Sequence, residues 1–158
     1  MNKVRVAGVG MIPFCKPSQQ PPYRVMAAEA ITLALADAGL HAKTIGQAYG
    51  AYIYGDSTCA QHAFYDVIQS GIPIINVNNN CSSGSTALFL ARQAVLSGQV
   101  ECALAFGFEE MQPGALGSNW QDRESPFERL DPVLQQFNAP QGADCITCFW
   151  RGRAPLYG

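Results

Sequence analysis

The segment Asn78-Asn79-Asn80-Cys81-Ser82-Ser83-Gly84-Ser85 holds the residue best placed for chemistry. Ahead of it runs Ile72-Pro73-Ile74-Ile75-Asn76-Val77, a β-branched run of the kind found in parallel sheets, and behind it Ser83 to Leu96 has a helical apolar pattern. Cys81 therefore falls in the turn between a strand and a helix. A thiol at a helix N-terminus meets backbone N–H groups that have no intrahelical partner, and it sits at the positive end of the helix dipole. Both favour the thiolate. Cys81 is thus a candidate nucleophile, and the same N–H groups can hold the oxyanion that forms when a thiolate attacks a carbonyl. A second reading makes Cys81 a small buried hydrophobe beside turn-forming asparagines. Spacing alone leaves both open.

The remaining candidates are weaker. His41 follows a predicted helix and His62 opens another, but a catalytic base must reach its nucleophile and the sequence does not bring either one there, so both read as surface or packing residues. Glu109-Glu110 reads as a strand-end turn rather than a catalytic pair. Cys145-Ile146-Thr147-Cys148 has the spacing of a metal knuckle or redox pair, yet a zinc site takes about four ligands and no second Cys/His pair lies near, so no metal is expected. Gly8-Val9-Gly10 follows a predicted strand, but Pro13 stands where the third glycine of a dinucleotide fingerprint would fall, which excludes a Rossmann reading.

The elements that must position Cys81 follow from periodicity and punctuation. Val4 to Val9 predicts a short buried strand closed by Gly8 and Gly10. Tyr23 to Ala38, rich in Ala and Leu, predicts a helix capped by Gly39. Ala48 to Tyr54 predicts a strand, Gln61 to Gln69 a helix stopped by Gly71, and Ile72 to Val77 the strand before Cys81. Ser83 to Leu96 is apolar on nearly every side and predicts a helix buried all round, followed by a strand over Cys102 to Gly107. The order βαβαβαβ implies an α/β fold with a mostly parallel sheet and right-handed crossovers. Residues 1–112 make the expected core, 113–140 the start of a loop or insertion, and 141–158 an irregular tail.

Composition narrows the function classes. Ten Lys+Arg against 12 Asp+Glu give a net charge of −2, which argues against a basic surface for nucleic acid or a polybasic one for membranes. Charged residues make up 14% and hydrophobic ones 48%, against about 25% charged in an ordinary domain; disorder is excluded and extensive burial is implied. No apolar run approaches the roughly 20 residues of a membrane span, and Met1-Asn2-Lys3-Val4-Arg5 enters a strand pattern instead of a signal peptide. A soluble intracellular protein is expected. Six irregularly placed cysteines point to reduced thiols rather than a disulfide scaffold.

Several of these segments together resemble a family. Gly55-Asp56-Ser57-Thr58-Cys59, the run Gly71 to Cys81, Gly84-Ser85-Thr86-Ala87-Leu88 and Gly107-Phe108-Glu109-Glu110-Met111 are similar to the N-terminal half of thiolases, closest to the sterol-carrier-type branch, over roughly residues 3 to 140. Ser82-Ser83 departs from the Ala-Thr common in that branch and is shared with ketoacyl synthases. The resemblance implies the N-terminal half of a thiolase-type fold. It also implies an acyltransferase activity on acyl-CoA or 3-oxoacyl-CoA, with Cys81 as acyl-accepting nucleophile and its backbone N–H as an oxyanion donor. It further implies coenzyme A as co-substrate, no bound cofactor, and a homodimer formed through Ile74 to Val77 and the 83–96 helix. The compartment it implies is the cytoplasm, or the peroxisome in a eukaryote. In the family the base histidine, the oxyanion-hole asparagine and a second cysteine come from later in the chain, so neither His41 nor His62 matches a catalytic position. The chain alone is then expected to be inactive, and the alternative is a non-catalytic module that binds lipid, acyl groups or a subunit.

After Ala139-Pro140-Gln141 the resemblance stops. Codons for Gln141 to Tyr157 can be chosen so that reading one base later gives a family-like Phe-Gly-Gly-Ala-Gly-Arg segment. This predicts one extra base near the Gln141 codon, making 142–158 a non-native tail and the chain a truncated product; the alternative is a short paralogue with its own C-terminus.

Overall fold

The computed structural model describes residues 3–112, 120–126, 128, 129 and 131–136. The Cys145/Cys148 pair and the 141–158 tail lie outside them. The chain divides into two compact units, Met1–Met111 and Gln112–Gly158.

The first unit carries helix α1 (Tyr23–Ala38), strand β1 (Gln47–Ala51), helix α2 (Cys59–Tyr65), strand β2 (Ile74–Val77), helix α3 (Ser83–Leu96) and strand β3 (Ala103–Gly107). The three strands form a parallel sheet in the order β2-β1-β3. Each crossover between parallel neighbours is long enough to carry a helix, as such a connection requires. α1 ends at Gly39, whose φ of 63° is the left-handed conformation that suits a residue without a Cβ.

Strand alternation sorts the core into two layers. Ala48, Tyr52 and Phe106 join Ala27 and Ile31 of α1 and Cys59, Ala60, Ala63 and Phe64 of α2 on one face. Tyr49, Ala51 and Val77 pack with Ala87, Ala91 and Ala94 of α3 on the other. β1 is buried along its whole length, as a central strand covered on both faces must be. At Gly50 the α2 backbone comes so close that a Cβ would lie 2.3 Å from the Ala60 Cβ.

The structure corrects three expectations. Val4 to Val9 is not a buried strand: it has no ladder partner among the described residues. Its backbone lies along α1 instead. A Cβ at Gly8 would stand 2.5 Å from the Ala34 carbonyl, one at Gly10 2.3 Å from the Ala30 carbonyl, and the Val9 N–H donates to Asp37 Oδ2 at 2.9 Å. The two glycines that read as strand terminators are where the chain presses onto a helix, and Val6, Val9, Met11 and Phe14 are left exposed. Helix α3 is not buried all round. Its alanines at 87, 91 and 94 face the sheet, since small side chains allow close approach, while Leu88 and Phe89 are more than half exposed. Helix α2 ends at Tyr65 rather than Gln69, because the Val67 and Ile68 N–H groups both donate to the Phe64 carbonyl in a tightened last turn, and both side chains fold onto the core.

The second unit contains a short helix α4 (Asp131–Gln136) and a local cluster in which Arg123 pairs with Asp122 and lies 4.5 Å over the Trp120 ring. No helix among the described residues is long and apolar enough to cross a membrane.

Candidate functional site

Cys81 lies between β2 and α3, one residue before the N-cap Ser82, and its side chain is exposed. The buried-hydrophobe reading therefore does not describe it. A mesh of short polar bonds fixes the turn that presents it. The Asn79 N–H donates to Ser83 Oγ (2.8 Å), Ser83 Oγ donates to the Asn80 carbonyl (2.7 Å), and Ser82 Oγ donates to the Asn79 carbonyl (2.7 Å). Asn79 Nδ2 reaches Thr86 Oγ1 one turn into the helix at 3.0 Å. Asn80 adopts φ 50°, a left-handed conformation that asparagine tolerates because its short amide can bond locally. Its Oδ1 lies 3.8 Å from the Cys81 sulfur. The asparagine run is thus the turn's scaffold.

The same turn engages amides that were expected to face the sulfur. The Ser82 N–H donates to the Asn79 carbonyl (3.1 Å) and the Ser83 N–H to the Asn80 carbonyl (3.0 Å). These first amides of the helix are held inside the turn.

Asn76, on the strand that leads to Cys81, was not singled out by spacing. Its Oδ1 accepts from the Ala60 N–H and the Tyr52 hydroxyl, both at 3.0 Å, and its Nδ2 donates to Gln61 Oε1 at 2.7 Å. A side chain from β2 thereby caps α2, whose own N-cap Thr58 makes no side-chain cap bond. The available signal was a lone amide in an otherwise β-branched buried run. Glu109 and Glu110 are clamps, in keeping with the strand-end reading. The Glu109 carboxylate accepts the N–H groups of Ile53 (3.0 Å) and Tyr54 (2.9 Å), its carbonyl accepts from Gln20 Nε2, and the Glu110 carboxylate accepts the Tyr23 N–H at 3.1 Å. These bonds join the loops that follow β1 and β3 to the start of α1.

Both histidines are engaged elsewhere. His41 Nδ1 accepts the Lys43 N–H at 3.1 Å and caps a 3₁₀ turn over Ala42–Thr44, while His62 Nδ1 lies 2.6 Å from the Tyr23 hydroxyl. Tyr23, Phe108 and Tyr52 stack in succession, with ring centroids 4.9 and 5.1 Å apart. Burial foremost, then Cys59, Glu110 and Tyr52 nearby, pushes the Tyr23 hydroxyl up to about 12; burial likewise raises Tyr52 and the Cys102 thiol. No group of three or more His, Cys, Asp or Glu able to hold a metal occurs among the described residues.

Residues 4–129 match the thiolase N-terminal domain. Sterol carrier protein 2 of Oryctolagus cuniculus is 49% identical over 141 residues, covering 87% of this chain and 26% of that protein. The Gallus gallus protein of the same name is 51% identical over 139 residues, 86% of this chain and 25% of its own length. A non-specific lipid-transfer protein-like 2 of Caenorhabditis elegans is 47% identical over 116 residues, 72% of this chain and 28% of that protein. The chain thus spans about a quarter of the length of these relatives. Among solved structures, 3-oxoacyl-[acyl-carrier-protein] synthase III from Aquifex aeolicus VF5 superposes with a TM-score of 0.54 at 22% identity, covering 68% of this chain and 35% of that one, a likeness of fold.

Proposed function

The chain belongs to the thiolase family, on the sterol-carrier side of it, and from that premise we propose that it serves as a lipid- or acyl-binding module of the thiolase fold that does not turn over acyl-CoA by itself. The observation that carries this reading is that both histidines are committed to structural bonds outside the Cys81 turn, His41 Nδ1 capping a 3₁₀ turn and His62 Nδ1 meeting the Tyr23 hydroxyl. The ligand class comes from the relatives, one named a sterol carrier and one a lipid-transfer protein. Calorimetric titration with a long-chain acyl-CoA, beside a thiolysis assay with 3-oxoacyl-CoA and coenzyme A, tests it. Saturable binding without cleavage is expected; cleavage, or no binding, overturns it.

A second reading keeps Cys81 as an acyl-accepting nucleophile, its backbone N–H an oxyanion donor, with acyl-CoA as substrate and coenzyme A as co-substrate. Its support is the exposed position of the thiol one residue before the α3 cap. Incubation with an acyl-CoA should then add one acyl mass to the protein, and Cys81→Ser should abolish the adduct. We also propose a homodimer through β2 and the exposed Leu88 and Phe89 of α3, in the cytoplasm or peroxisome. Leu88→Asp should shift its sedimentation to that of the monomer.

A further inference from the structure

The loops that leave β1 and β2 turn to opposite faces of the sheet, the first running to α2 and the second to α3. In an open parallel sheet such a divergence leaves a crevice outside the carboxyl ends of the two strands, and ligands of these folds sit there. β1 and β2 stay paired up to that point, with Ala51 opposite Val77 and the Tyr52 N–H donating to the Val77 carbonyl at 3.2 Å. The Cys81 turn leaves from the β2 side, and residues 53–58 leave from the β1 side.

The β1 side is held in place against strain. Thr58 has φ 70°, a left-handed backbone that a β-branched residue adopts only at a cost, and it makes no side-chain cap bond to α2 in return. Residues 55–58 are exposed, so little packing holds them. The hold comes from the other flank of the sheet, where the Glu109 carboxylate after β3 accepts the Ile53 and Tyr54 N–H groups at 3.0 and 2.9 Å. With the segment so fastened, Gly55 lies on apolar groups: a Cβ there would stand 3.1 Å from Tyr52 Cδ2 and 3.0 Å from Cys59 Sγ. Tyr52 is 6% exposed and Cys59 7% beneath it.

We propose that residues 53–58 are a strap, latched by Glu109 and loaded at Thr58, that opens to admit an acyl chain over Tyr52 at the β1 and β2 carboxyl ends. This rests on the reading of the chain as an acyl-binding module. When the carboxylate leaves the Ile53 and Tyr54 N–H groups, Thr58 relaxes to ordinary backbone and Gly55 lifts off the Tyr52 ring and the Cys59 sulfur. The surface uncovered is aromatic, continued by Phe108 stacked on Tyr52, and it suits a chain of methylenes. The strands keep their ladder throughout, because the latch joins loops and not strands. Apparent affinity then scales with the fraction of molecules whose strap is open.

Cys59 reports the opening, since iodoacetamide reaches its sulfur when Gly55 lifts. In the full chain Glu109→Gln should alkylate at Cys59 about tenfold faster than the parent. Thr58→Asn, whose side chain tolerates the left-handed backbone, should alkylate there about fivefold slower. Cys102, before β3 at the opposite end of the sheet, should keep one rate in all three, which separates strap opening from loss of the fold. Calorimetric affinity for a long-chain acyl-CoA should follow the same order, tightest in Glu109→Gln and weakest in Thr58→Asn. If Glu109→Gln does not fold, Thr58→Asn carries both readouts, and a substitution that steadies the protein yet weakens binding is not the result of a merely structural role. Cys59 rates outside that order overturn the strap. Rates in that order with equal affinity in all three overturn its role as a gate, and the absence of binding in all three overturns the binding-module reading together with the gate.

Discussion

Gly50→Ala tests the packing of the sheet against α2. The new Cβ would stand 2.3 Å from the Ala60 Cβ, 2.8 Å from Phe106 Cζ and 3.3 Å from the Ala60 Cα. The phenyl tip can swing aside. Ala60 cannot, because its Cβ is fixed to the α2 backbone, whose first turn Asn76 holds through the Ala60 N–H. Restoring van der Waals contact requires α2 to retreat by about 1 Å, and overpacking of this kind costs about 1–3 kcal/mol. With a backbone-anchored neighbour the upper end applies, which lowers the melting temperature by about 6–12 °C in a chain of this length. The deciding measurement is a double-mutant cycle with Ala60→Gly, followed by circular dichroism in urea. Ala60→Gly alone should cost about 1 kcal/mol as a helical glycine. Combined with Gly50→Ala it should leave the protein near that level, about 3 kcal/mol better than the sum of the single effects. Additivity within about 0.5 kcal/mol would refute the claim that this one contact sets the spacing of helix and sheet.

Glu109→Gln replaces one of two carboxylate oxygens that accept backbone N–H groups; a loss of about 1–3 kcal/mol is expected in the same urea experiment. A bulky maleimide should label exposed Cys81 ahead of buried Cys59 and of Cys102, whose thiol burial pushes up, and equal labelling of all three would remove the main support for Cys81 as a nucleophile. The Tyr23 hydroxyl, raised from 10.0 to about 12, should make the fold lose stability as pH climbs through that interval. The unfolded chain releases this proton first and the folded one holds it, so the contribution is complete below pH 10 and gone above about 12. Alkaline titration followed by tyrosinate absorbance should show one late-titrating tyrosine lost in Tyr23→Phe.

The order of helices and parallel strands was legible because each depends on local pattern. α1 and α3 have the bounds their periodicity predicts, and Gly39 caps where a glycine should. What the sequence could not show is pairing at a distance. Val4 to Val9 has the composition of a strand, but whether a strand joins a ladder depends on a neighbouring edge, and here the glycines seat the segment on α1 instead. The outward face of α3 departs from its sequence pattern for a related reason: Leu88 and Phe89 are bulky and apolar enough to suggest core positions, yet the alanines make the contact. At the site, spacing placed Cys81 between strand and helix, but not the Asn79, Ser82 and Ser83 bonds that fill the turn, nor the remote capping by Asn76.

The central position of β1 has a consequence for the order in which the molecule assembles. The middle strand is made first, so a growing polypeptide holds it without either neighbour until β2, and later β3, has been synthesised. At about 5–20 residues per second that wait lasts a few seconds. Through it the row from Gln47 to Ala51 carries two open flanks, and a chaperone or a second nascent copy meets the fold at its most adhesive stage.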